Sequence, residues 1–490
     1  MVRWLIAPVL ALVLSGCGGG GDGAVEVAVI DTPESLFADG LRLSPGAQHL
    51  RAATGAGLVA LDAQGDVIPA LADRWIVTDD GRSFIFRLRD GDWTDGRELT
   101  AESVRNALRE RVRSLRGTSL GLDLAPIEEI RAMAGRVVEI RLSAPVPMLL
   151  QLLAQPELTL GRGGDDGAGN GPMTLERDGA TAVLEMKPPE ARGIPEEPEW
   201  ERYVRAIELR AASGEEAIAQ FDEGTVDVVL GGRIAQLPLV DTGPLSRGTV
   251  RIDPALGLFG LRVRRSEGFL GTAQGREAIA MALDREALIG PFNIGGWVPT
   301  TRVVAPGLPS DPGYIAERWT GRTIAETRAE AARRVATWAR SSGNEPRLTL
   351  ALGEGAGLDI LFRELNAQLA TIGVRLERVP EDSDGADLTL IDRVARYADS
   401  RWFLNQFHCS LSGGLCSAEA DALVRDSIVQ TDPAVKASLL AQAEAELTLA
   451  NLYIPIGSPL RFSLVRGGVE GFVGNAWAFH PLPPLAVIPR

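Results

Sequence analysis

Cysteine and histidine are scarce in this chain of 490 residues, which contains three of each. The histidines, His49, His408 and His480, do not form a cluster of metal ligands along the sequence. The chain also lacks a G-x-S-x-G elbow, an H-E-x-x-H pair and a phosphate-binding loop. These absences argue against the enzyme classes that short motifs identify, and they indicate neither a metal nor another cofactor.

Positive charge is in deficit, because 65 acidic residues face 50 basic ones and the formal net charge is −15. The phosphates of a nucleic acid would repel such a chain, so no nucleic-acid partner is expected. A hydrophobic content of 45% with 23% charged residues is ordinary for globular proteins. The length exceeds what one core organises, which predicts two or three domains.

Long apolar runs are absent apart from one near the start. Trp4 to Leu14 is apolar and follows Arg3, but it is shorter than the roughly 20 residues that span a bilayer. The next residues, Leu14-Ser15-Gly16-Cys17, resemble a bacterial lipobox, in which small residues precede a cysteine that becomes acylated. We therefore expect residues 1–17 to be a lipoprotein signal and residues 18–24 a flexible tether. An ordinary secretory signal with a chance cysteine is the alternative.

Two cysteines remain beyond the leader, Cys409 and Cys416. A pair seven positions apart can close a small loop in an oxidising compartment, so a disulfide is predicted. Free thiols are one alternative. A metal site that includes the adjacent His408 is another, but no second group of ligands accompanies it.

The most distinctive run is 36 residues long, from Ala70 to Arg105. An apolar stretch around Trp75 ends at an Asp-Asp-Gly turn signal, and apolar residues then alternate with others from Ser83 to Leu88 as they do in a strand. Two Asp-Gly turns follow, and Thr100 can cap a helix. The run therefore predicts a hairpin, a tight loop and a capped helix.

The order and wording of this run closely resemble the signature block of the family 5 extracellular solute-binding proteins. These are the dipeptide-, oligopeptide- and nickel-type receptors of ABC importers. Further stretches that resemble the same family lie at residues 169–173, 221–227, 276–288 and 452–457. The resemblance thus extends, with gaps, over nearly the whole chain beyond the leader.

The resemblance implies an α/β chain with the two-lobed periplasmic-binding-protein type II fold and an extra subdomain in the first lobe. It assigns residues 25–56, 172–252 and 456–490 to lobe I. Residues 57–171 would form subdomain II, and residues 253–455 would form lobe III.

The resemblance also implies a function that is not enzymatic. The protein would capture a small solute, peptide-like or anionic, in the cleft between the lobes and deliver it to an ABC permease and ATPase. It would be a monomer in the periplasm or cell envelope, anchored to a membrane through lipid on Cys17. A periplasmic sensor or chaperone of the same fold is the alternative, and a secreted hydrolase is a more distant one.

Several elements of the second half can be predicted locally. Residues 276–288 have helical spacing, and a strand near Leu350, a helix from Leu358 to Leu369 and a strand near Leu376 predict a right-handed crossover in a parallel sheet. The loop Gly353 to Gly357 resembles a dinucleotide fingerprint. Leu358 stands where the third glycine would fall, which favours a plain strand-to-helix loop.

The segment 391–400 is the main candidate for ligand contact, because it follows a predicted strand and should open into the cleft. It resembles the family stretch W-x-x-D-Y-x-D-P, whose first aspartate pairs with the ligand's α-amino group in peptide receptors. Arg396 occupies that position, while Tyr397 and Asp399 fit the pattern. An arginine there would repel an amine and suit a carboxylate or phosphate. An arginine paired within the protein, or a one-residue slip that leaves Asp399 as the amine partner, is the alternative.

Three further residues complete the predicted ligand-binding set. Trp297 and Trp402 are candidate walls of the cleft, although a buried aromatic more often belongs to a core. Leu43 lies in a stretch that resembles the family's early L-D-P segment, with Ser44 in place of the aspartate.

Overall fold

The computed structural model describes residues 23–38, 40–161, 169–241 and 248–488. Cys17 and most of the predicted tether lie outside these residues, so the predicted leader and lipid anchor are not part of the described structure. The strands are β1 (Val25–Ile30), β2 (Val59–Leu61), β3 (Val67–Pro69), β4 (Ala72–Val77), β5 (Ser83–Leu88), β6 (Ile127–Met133), β7 (Val137–Leu142), β8 (Met173–Asp178), β9 (Thr181–Met186), β10 (Ile207–Ala212), β11 (Val228–Arg233), β12 (Val250–Ile252), β13 (Gly257–Val263), β14 (Arg347–Ala351), β15 (Arg375–Val379), β16 (Leu388–Val394), β17 (Tyr453–Gly457) and β18 (Arg461–Val465).

The α-helices of the described residues connect these strands and cover the sheets. They are α1 (Pro45–Thr54), α2 (Ala101–Ser114), α3 (Ser119–Asp123), α4 (Leu149–Leu153), α5 (Gly214–Glu223), α6 (Ala273–Ala282), α7 (Arg285–Ile289), α8 (Ile324–Ser342), α9 (Ala356–Ala370), α10 (Ser400–Asn405), α11 (Ala418–Ile428), α12 (Pro433–Ala450) and α13 (Leu482–Leu485). Within the described ranges, no helix combines the length and the apolar character that crossing a bilayer requires.

A seven-stranded sheet has the order β12-β18-β11-β1-β10-β9-β8. Its central strand β1 pairs in parallel with β10 and β11, and α5 connects those two neighbours. Val25, Val27 and Val29 are fully buried, because both faces of a central parallel strand are covered. The C-terminal strand β18 joins this sheet from far along the chain and pairs antiparallel with β11.

A five-stranded sheet has the order β15-β14-β16-β13-β17. Strands β14 and β15 pair in parallel and are joined by α9, so the predicted crossover and parallel pairing are confirmed. Leu361, Leu365 and Leu369 of α9 are completely buried, as the helical spacing predicts. Strand β13 is buried along its whole length between β16 and β17.

A four-stranded antiparallel sheet contains the signature run in the order β4-β5-β7-β6. Strands β4 and β5 form the predicted hairpin. The hydroxyl of Thr100 accepts a hydrogen bond from the Ser103 backbone N–H at 3.1 Å and so caps α2. The hairpin and capped helix that the sequence predicts are therefore confirmed.

The single helix expected over residues 276–288 is wrong. The structure has α6 and α7 there, separated by Leu283 in an extended conformation. The Asp284 carboxylate accepts from the Ala287 N–H at 3.1 Å, while the Asp284 N–H donates to the Gln368 side chain at 2.7 Å. A new N-cap and a tertiary contact therefore replace the helical hydrogen bonds that an uninterrupted helix would have made.

The chain crosses between the seven-stranded and five-stranded sheets through residues 253–256 and again through residues 458–460. A buried ion pair spans the same boundary, since the Arg461 Nη1 of β18 lies 2.7 Å from the Asp392 Oδ1 of β16. Burial lowers the pKa of Arg461, and the charge of Asp392 opposes that effect. The two sheets are therefore held together both covalently and by charge.

The glycine-rich loop before α9 forms another contact between the two sheets. The Gly357 N–H donates to the Ala235 carbonyl at 2.9 Å, and Ala235 follows β11 of the seven-stranded sheet. A β-carbon at Gly357 would overlap the Ile234 carbonyl oxygen, and Gly355 has a φ of +135°. Glycine is thus needed at this position because the loop backbone packs directly against another segment of the same chain.

Replacing Gly357 with alanine should destabilise the protein by about 1–3 kcal/mol, because the added methyl must push back a neighbouring backbone. Gly353→Ala in the same loop is the matched control, since its β-carbon would meet side chains and no backbone, with the flexible end of Glu381 nearest at 2.7 Å. Thermal unfolding compares the two variants. Equal melting temperatures would contradict the proposed importance of this contact.

Candidate functional site

A cavity of about 250 Å³ lies where the chain crosses between the two sheets. Both crossing segments line it, together with the loop 294–306 and the end of β17. We call it the crossover cavity, and its lining residues are Ile252, Asp253, Pro254, Ala255, Leu256, Gly257, Leu258, Ile294, Gly295, Gly296, Trp297, Val298, Thr300, Arg302, Val303, Ala305, Pro306, Tyr453, Pro455, Gly457, Ser458, Pro459 and Leu460. Aliphatic, proline and aromatic side chains predominate, as in most small-molecule sites.

The one carboxylate in this lining is already engaged. Asp253 accepts a hydrogen bond from the Asn475 N–H at 3.0 Å through Oδ1, and its Oδ2 lies 3.2 Å from the His480 Nε2. Both Asp253 and His480 are buried. These contacts join the C-terminal segment to the first crossing, so Asp253 has a structural role in the cavity.

The arginine in the lining, Arg302, is likewise paired within the protein. It binds the Glu444 carboxylate through Nε at 3.2 Å and Nη2 at 2.8 Å, and its Nη1 lies 2.7 Å from the Asp311 Oδ2. Burial works to lower the pKa of Arg302, but the hydrogen bonds and charges of these two acids raise it overall. Asp253 and Arg302 are therefore both already engaged by other groups of the protein.

Trp297, one of the predicted wall residues, does line this cavity. Its indole Nε1 donates to the Ser458 carbonyl at 2.9 Å. A β-carbon at Gly457 would overlap the indole ring, so the glycine lets the ring lie against the second crossing. The tryptophan therefore joins the loop 294–306 to the chain that connects the two sheets.

Arg396 has partners inside the protein. Its Nη2 lies 2.8 Å from the Glu157 Oε1, and its Nη1 donates to the Gln155 Oε1 at 3.3 Å. Glu157 is almost fully buried, whereas the Arg396 side chain is 27% exposed. Burial opposes the charged form of Arg396, but Glu157 raises the pKa overall. The internal pairing that the sequence left open as an alternative is the arrangement in the structure.

Tyr397 is buried against the region that contains the four-stranded sheet. Its hydroxyl donates to the Asp123 Oδ1 at 2.7 Å, and the Asn405 side chain donates to the same oxygen at 2.7 Å. Arg401 donates to the Asp123 carbonyl at 2.7 Å. Burial raises the pKa of Asp123 to about 6, although Arg401 and the two donors oppose that rise. The segment thus makes an internal polar interface.

The other predicted ligand residues are dispersed. Asp399 caps α10 by accepting from the Arg401 N–H at 2.8 Å, and Trp402 is buried with its ring against Phe403. Leu43 precedes α1 and is not part of the crossover cavity lining. Of the predicted ligand-binding residues, Trp297 therefore lines the crossover cavity, and the others do not.

Sequence reasoning did not single out Asp123 or Glu157. They belong to short helical turns far from residue 396 along the chain, and neither lies in a recognisable motif. Asp253 marks only the start of the predicted lobe III. No local signal distinguishes these carboxylates from solvated ones, because their roles depend on contacts across more than 200 positions.

The predicted disulfide between Cys409 and Cys416 is confirmed, with Cα atoms 5.1 Å apart. The adjacent His408, the residue of the alternative metal site, has its Nδ1 2.8 Å from the Ser410 hydroxyl. Over the parts of the chain that the structure describes, no group of three or more His, Cys, Asp or Glu side chains is arranged to hold a metal ion.

The sequence profile of the bacterial extracellular solute-binding proteins, family 5 middle, matches residues 66–413. The chain belongs to this family. Members of the family are binding receptors, so the chain has a substrate-binding role.

Among similar proteins is the probable deoxycholate-binding periplasmic protein YgiS of Escherichia coli K12, to which this family 5 chain is 33% identical over 128 residues. That alignment covers 21% of the chain and 22% of YgiS. It is 21% identical over 474 residues to the periplasmic oligopeptide-binding protein OppA of Salmonella typhimurium, which covers 86% of the chain and 84% of OppA.

Solved structures show the same fold. The Haemophilus influenzae OppA complex with the peptide RPPGFSPFR matches with a TM-score of 0.79 and 18% identity, covering 96% of this family 5 chain and 100% of that one. The Escherichia coli murein tripeptide binding protein MppA also gives 0.79, with 17% identity and coverage of 96% and 99%. The fold is therefore the two-lobed periplasmic-binding-protein fold, as predicted.

The buried Asp123 should make stability depend on pH. Because its pKa in the folded protein is raised to about 6, its contribution to stability is present below the unfolded pKa of about 4 and is lost as pH rises through 6. Asp123→Asn keeps an acceptor oxygen for Tyr397 and removes the titration. The free energy of unfolding of the wild type, relative to this variant, should fall by up to about 3 kcal/mol between pH 3 and pH 7.

Denaturant unfolding at several pH values measures that difference. Asp384→Asn, whose carboxylate is fully exposed, is the control and should retain the pH dependence of the wild type. A constant difference between wild type and Asp123→Asn across the range would contradict the assignment.

Proposed function

We propose that the protein is the substrate-binding lipoprotein of an ABC importer. It captures a small solute between its two lobes and passes it to a membrane permease driven by an ATPase. Membership of family 5 supports this role, and the cavity between the two sheets supplies a site for the solute. Closure of the lobes around the solute would create the form that the permease recognises.

The proposed division of the chain follows the sheets. Lobe I comprises residues 25–56, 172–252 and 456–490, and subdomain II comprises residues 57–171. Lobe III comprises residues 253–455. In support, the seven-stranded sheet draws its strands from the first set, the four-stranded sheet from the second and the five-stranded sheet almost wholly from the third.

The solute would be small and largely apolar on its surface. The observation that carries this proposal is that Asp253 and Arg302, which line the crossover cavity, are already paired within the protein. A ligand held by its α-amine needs an available carboxylate, which this lining does not supply. An apolar body instead gains free energy from contact with Trp297 and its aliphatic neighbours, at about 25 cal/mol per Å² of apolar surface removed from water.

The relatives differ in the ligands that their names state. OppA is named for oligopeptides, whereas YgiS is named as a probable deoxycholate-binding protein. Deoxycholate has a large apolar body, which is the kind of surface that the crossover cavity would accept. We therefore favour a solute with such a body over an oligopeptide held through its amine.

An anionic ligand at Arg396 is the second candidate. Its weakness is that Glu157 already satisfies that guanidinium at 2.8 Å. A bound anion would have to compete with a buried carboxylate, at a substantial cost in free energy. Tyr397, Asp399 and Trp402 are likewise held by contacts within the protein. Trp297 lines the crossover cavity, so we place it first among the ligand-binding residues.

The membrane attachment is proposed from the sequence alone. Acylation of Cys17 after removal of the leader would anchor a monomeric receptor to a membrane in the cell envelope. Residues 18–24 would then separate the folded lobes from the lipid. Radiolabelled palmitate incorporation in wild type, compared with Cys17→Ser, tests this part independently of ligand binding.

Native mass spectrometry of freshly purified protein, with identification of the released ligand, tests the proposed function. A small solute with an extensive apolar surface, recovered unchanged, is the expected result. Recovery of oligopeptides bound through their amines would overturn the proposed substrate class. Turnover of the solute would indicate a hydrolase instead.

Trp297→Ala should weaken binding of the recovered ligand about ten- to a hundredfold, because an aromatic wall contact contributes roughly 1.5–3 kcal/mol. Trp338→Ala is the matched control. Trp338 lies on α8 with its ring 5.6 Å from that of Phe269, and it does not line the cavity. Isothermal titration calorimetry measures both variants, and equal affinities would remove Trp297 from the site.

A further inference from the structure

Arg262 is a buried cation on an internal strand of the five-stranded sheet. It lies on β13 and is only 3% exposed. Among residues 23–38, 40–161, 169–241 and 248–488, no carboxylate lies within ion-pair distance of its guanidinium. Removing a charge from water without a counter-charge costs several kcal/mol, so this position calls for an anionic or polar partner.

The hydrogen bonds of Arg262 leave one edge of the guanidinium without an acceptor. Nη1 donates to the Gln406 carbonyl at 3.4 Å. Nε and Nη2 are buried and have no hydrogen-bond partner among the described protein groups. These two atoms form the side of the guanidinium that can grip two oxygens of one ligand at once.

At Arg302, the same edge of the guanidinium binds a carboxylate of the protein. Its Nε and Nη2 hold the two oxygens of Glu444 at 3.2 and 2.8 Å. The pair of atoms that binds a carboxylate at Arg302 is the pair without a protein acceptor at Arg262. Arg262 is therefore arranged to bind an oxyanion side-on.

A second arginine approaches the same place. Arg393 of β16 donates from Nη1 to the Gln406 Oε1 at 3.2 Å, so both guanidinium groups contact one glutamine. Arg393 is exposed, and within the described part of the chain no carboxylate pairs with it either. Burial and the charges of Arg393 and Arg264 lower the pKa of Arg262 to about 10. This local excess of positive charge would be relieved by an anion.

The disulfide loop from Cys409 to Cys416 covers Arg262. Leu415 donates its N–H to the Val263 carbonyl at 2.9 Å, which fixes the loop to β13. A β-carbon at Gly414 would lie 2.7 Å from the Arg262 Nε, and one at Gly413 would lie 3.5 Å from Nη1. Two consecutive glycines thus keep side chains away from the guanidinium.

We propose that Arg262 and Arg393 bind a small oxyanion beneath the Cys409–Cys416 loop. The chemical class is a phosphate, sulfate or carboxylate group, held side-on by Arg262 and balanced by Arg393. Neither arginine lines the crossover cavity, so this is a second site that does not depend on the proposed solute.

The test measures the melting temperature in phosphate, sulfate and acetate against chloride at matched ionic strength. The wild type should be stabilised by the oxyanions beyond chloride, with saturation as concentration rises. Arg262→Gln should abolish this shift, and Arg393→Gln should reduce it by at least half. Calorimetric titration of phosphate or sulfate into the same proteins should show matching losses of affinity.

Arg265→Gln is the control, because Arg265 is a partly exposed neighbour that pairs with Glu267. It should respond to oxyanions as the wild type does. If Arg262→Gln does not fold, Arg393→Gln decides, since its exposed side chain can be changed without opening the core. The site is disproved if the wild type responds no more to oxyanions than to chloride, or if Arg393→Gln and Arg265→Gln respond equally.

Discussion

The structure depends on two short passages of chain between the seven-stranded and five-stranded sheets. Residues 253–256 and 458–460 can span no more than about 14 and 11 Å even when fully extended. The two sheets must therefore stay close at this boundary, whatever movement occurs farther away. The Arg461–Asp392 pair and the contact of Gly357 with Ala235 lie at the same boundary, and so does the crossover cavity.

Charged side chains that line the crossover cavity, together with Arg396, are bonded within the protein. Asp253 is bonded to Asn475 and His480, Arg302 to Glu444 and Asp311, and Arg396 to Glu157. Buried ions need such partners, because their desolvation cost exceeds what a weak contact returns. A consequence is that the lining of the cavity offers mainly apolar surface. Arg262 is the contrasting case, since its side-on edge has no acceptor among the described protein groups.

Local sequence patterns predicted the regular elements well where short-range chemistry decides them. The alternation of Phe84, Phe86 and Leu88 and the cap at Thr100 were sufficient for the hairpin and helix of the signature run. The same approach failed at residues 276–288, where Asp284 starts a second helix while bonded to Gln368 on α9. Helical spacing does not reveal a partner that lies 84 positions away.

The sequence by itself determined the family, the α/β class, the disulfide between Cys409 and Cys416, and Trp297 as a candidate wall residue. These follow from ordered motifs and nearby residues. Only the tertiary structure decided that Arg396 is paired with Glu157, that Tyr397 is bonded to Asp123 and that the glycine loop contacts Ala235. The physical reason is that the properties of a charged or polar group depend on its burial and its partners. Those partners lie more than 100 residues away in the chain.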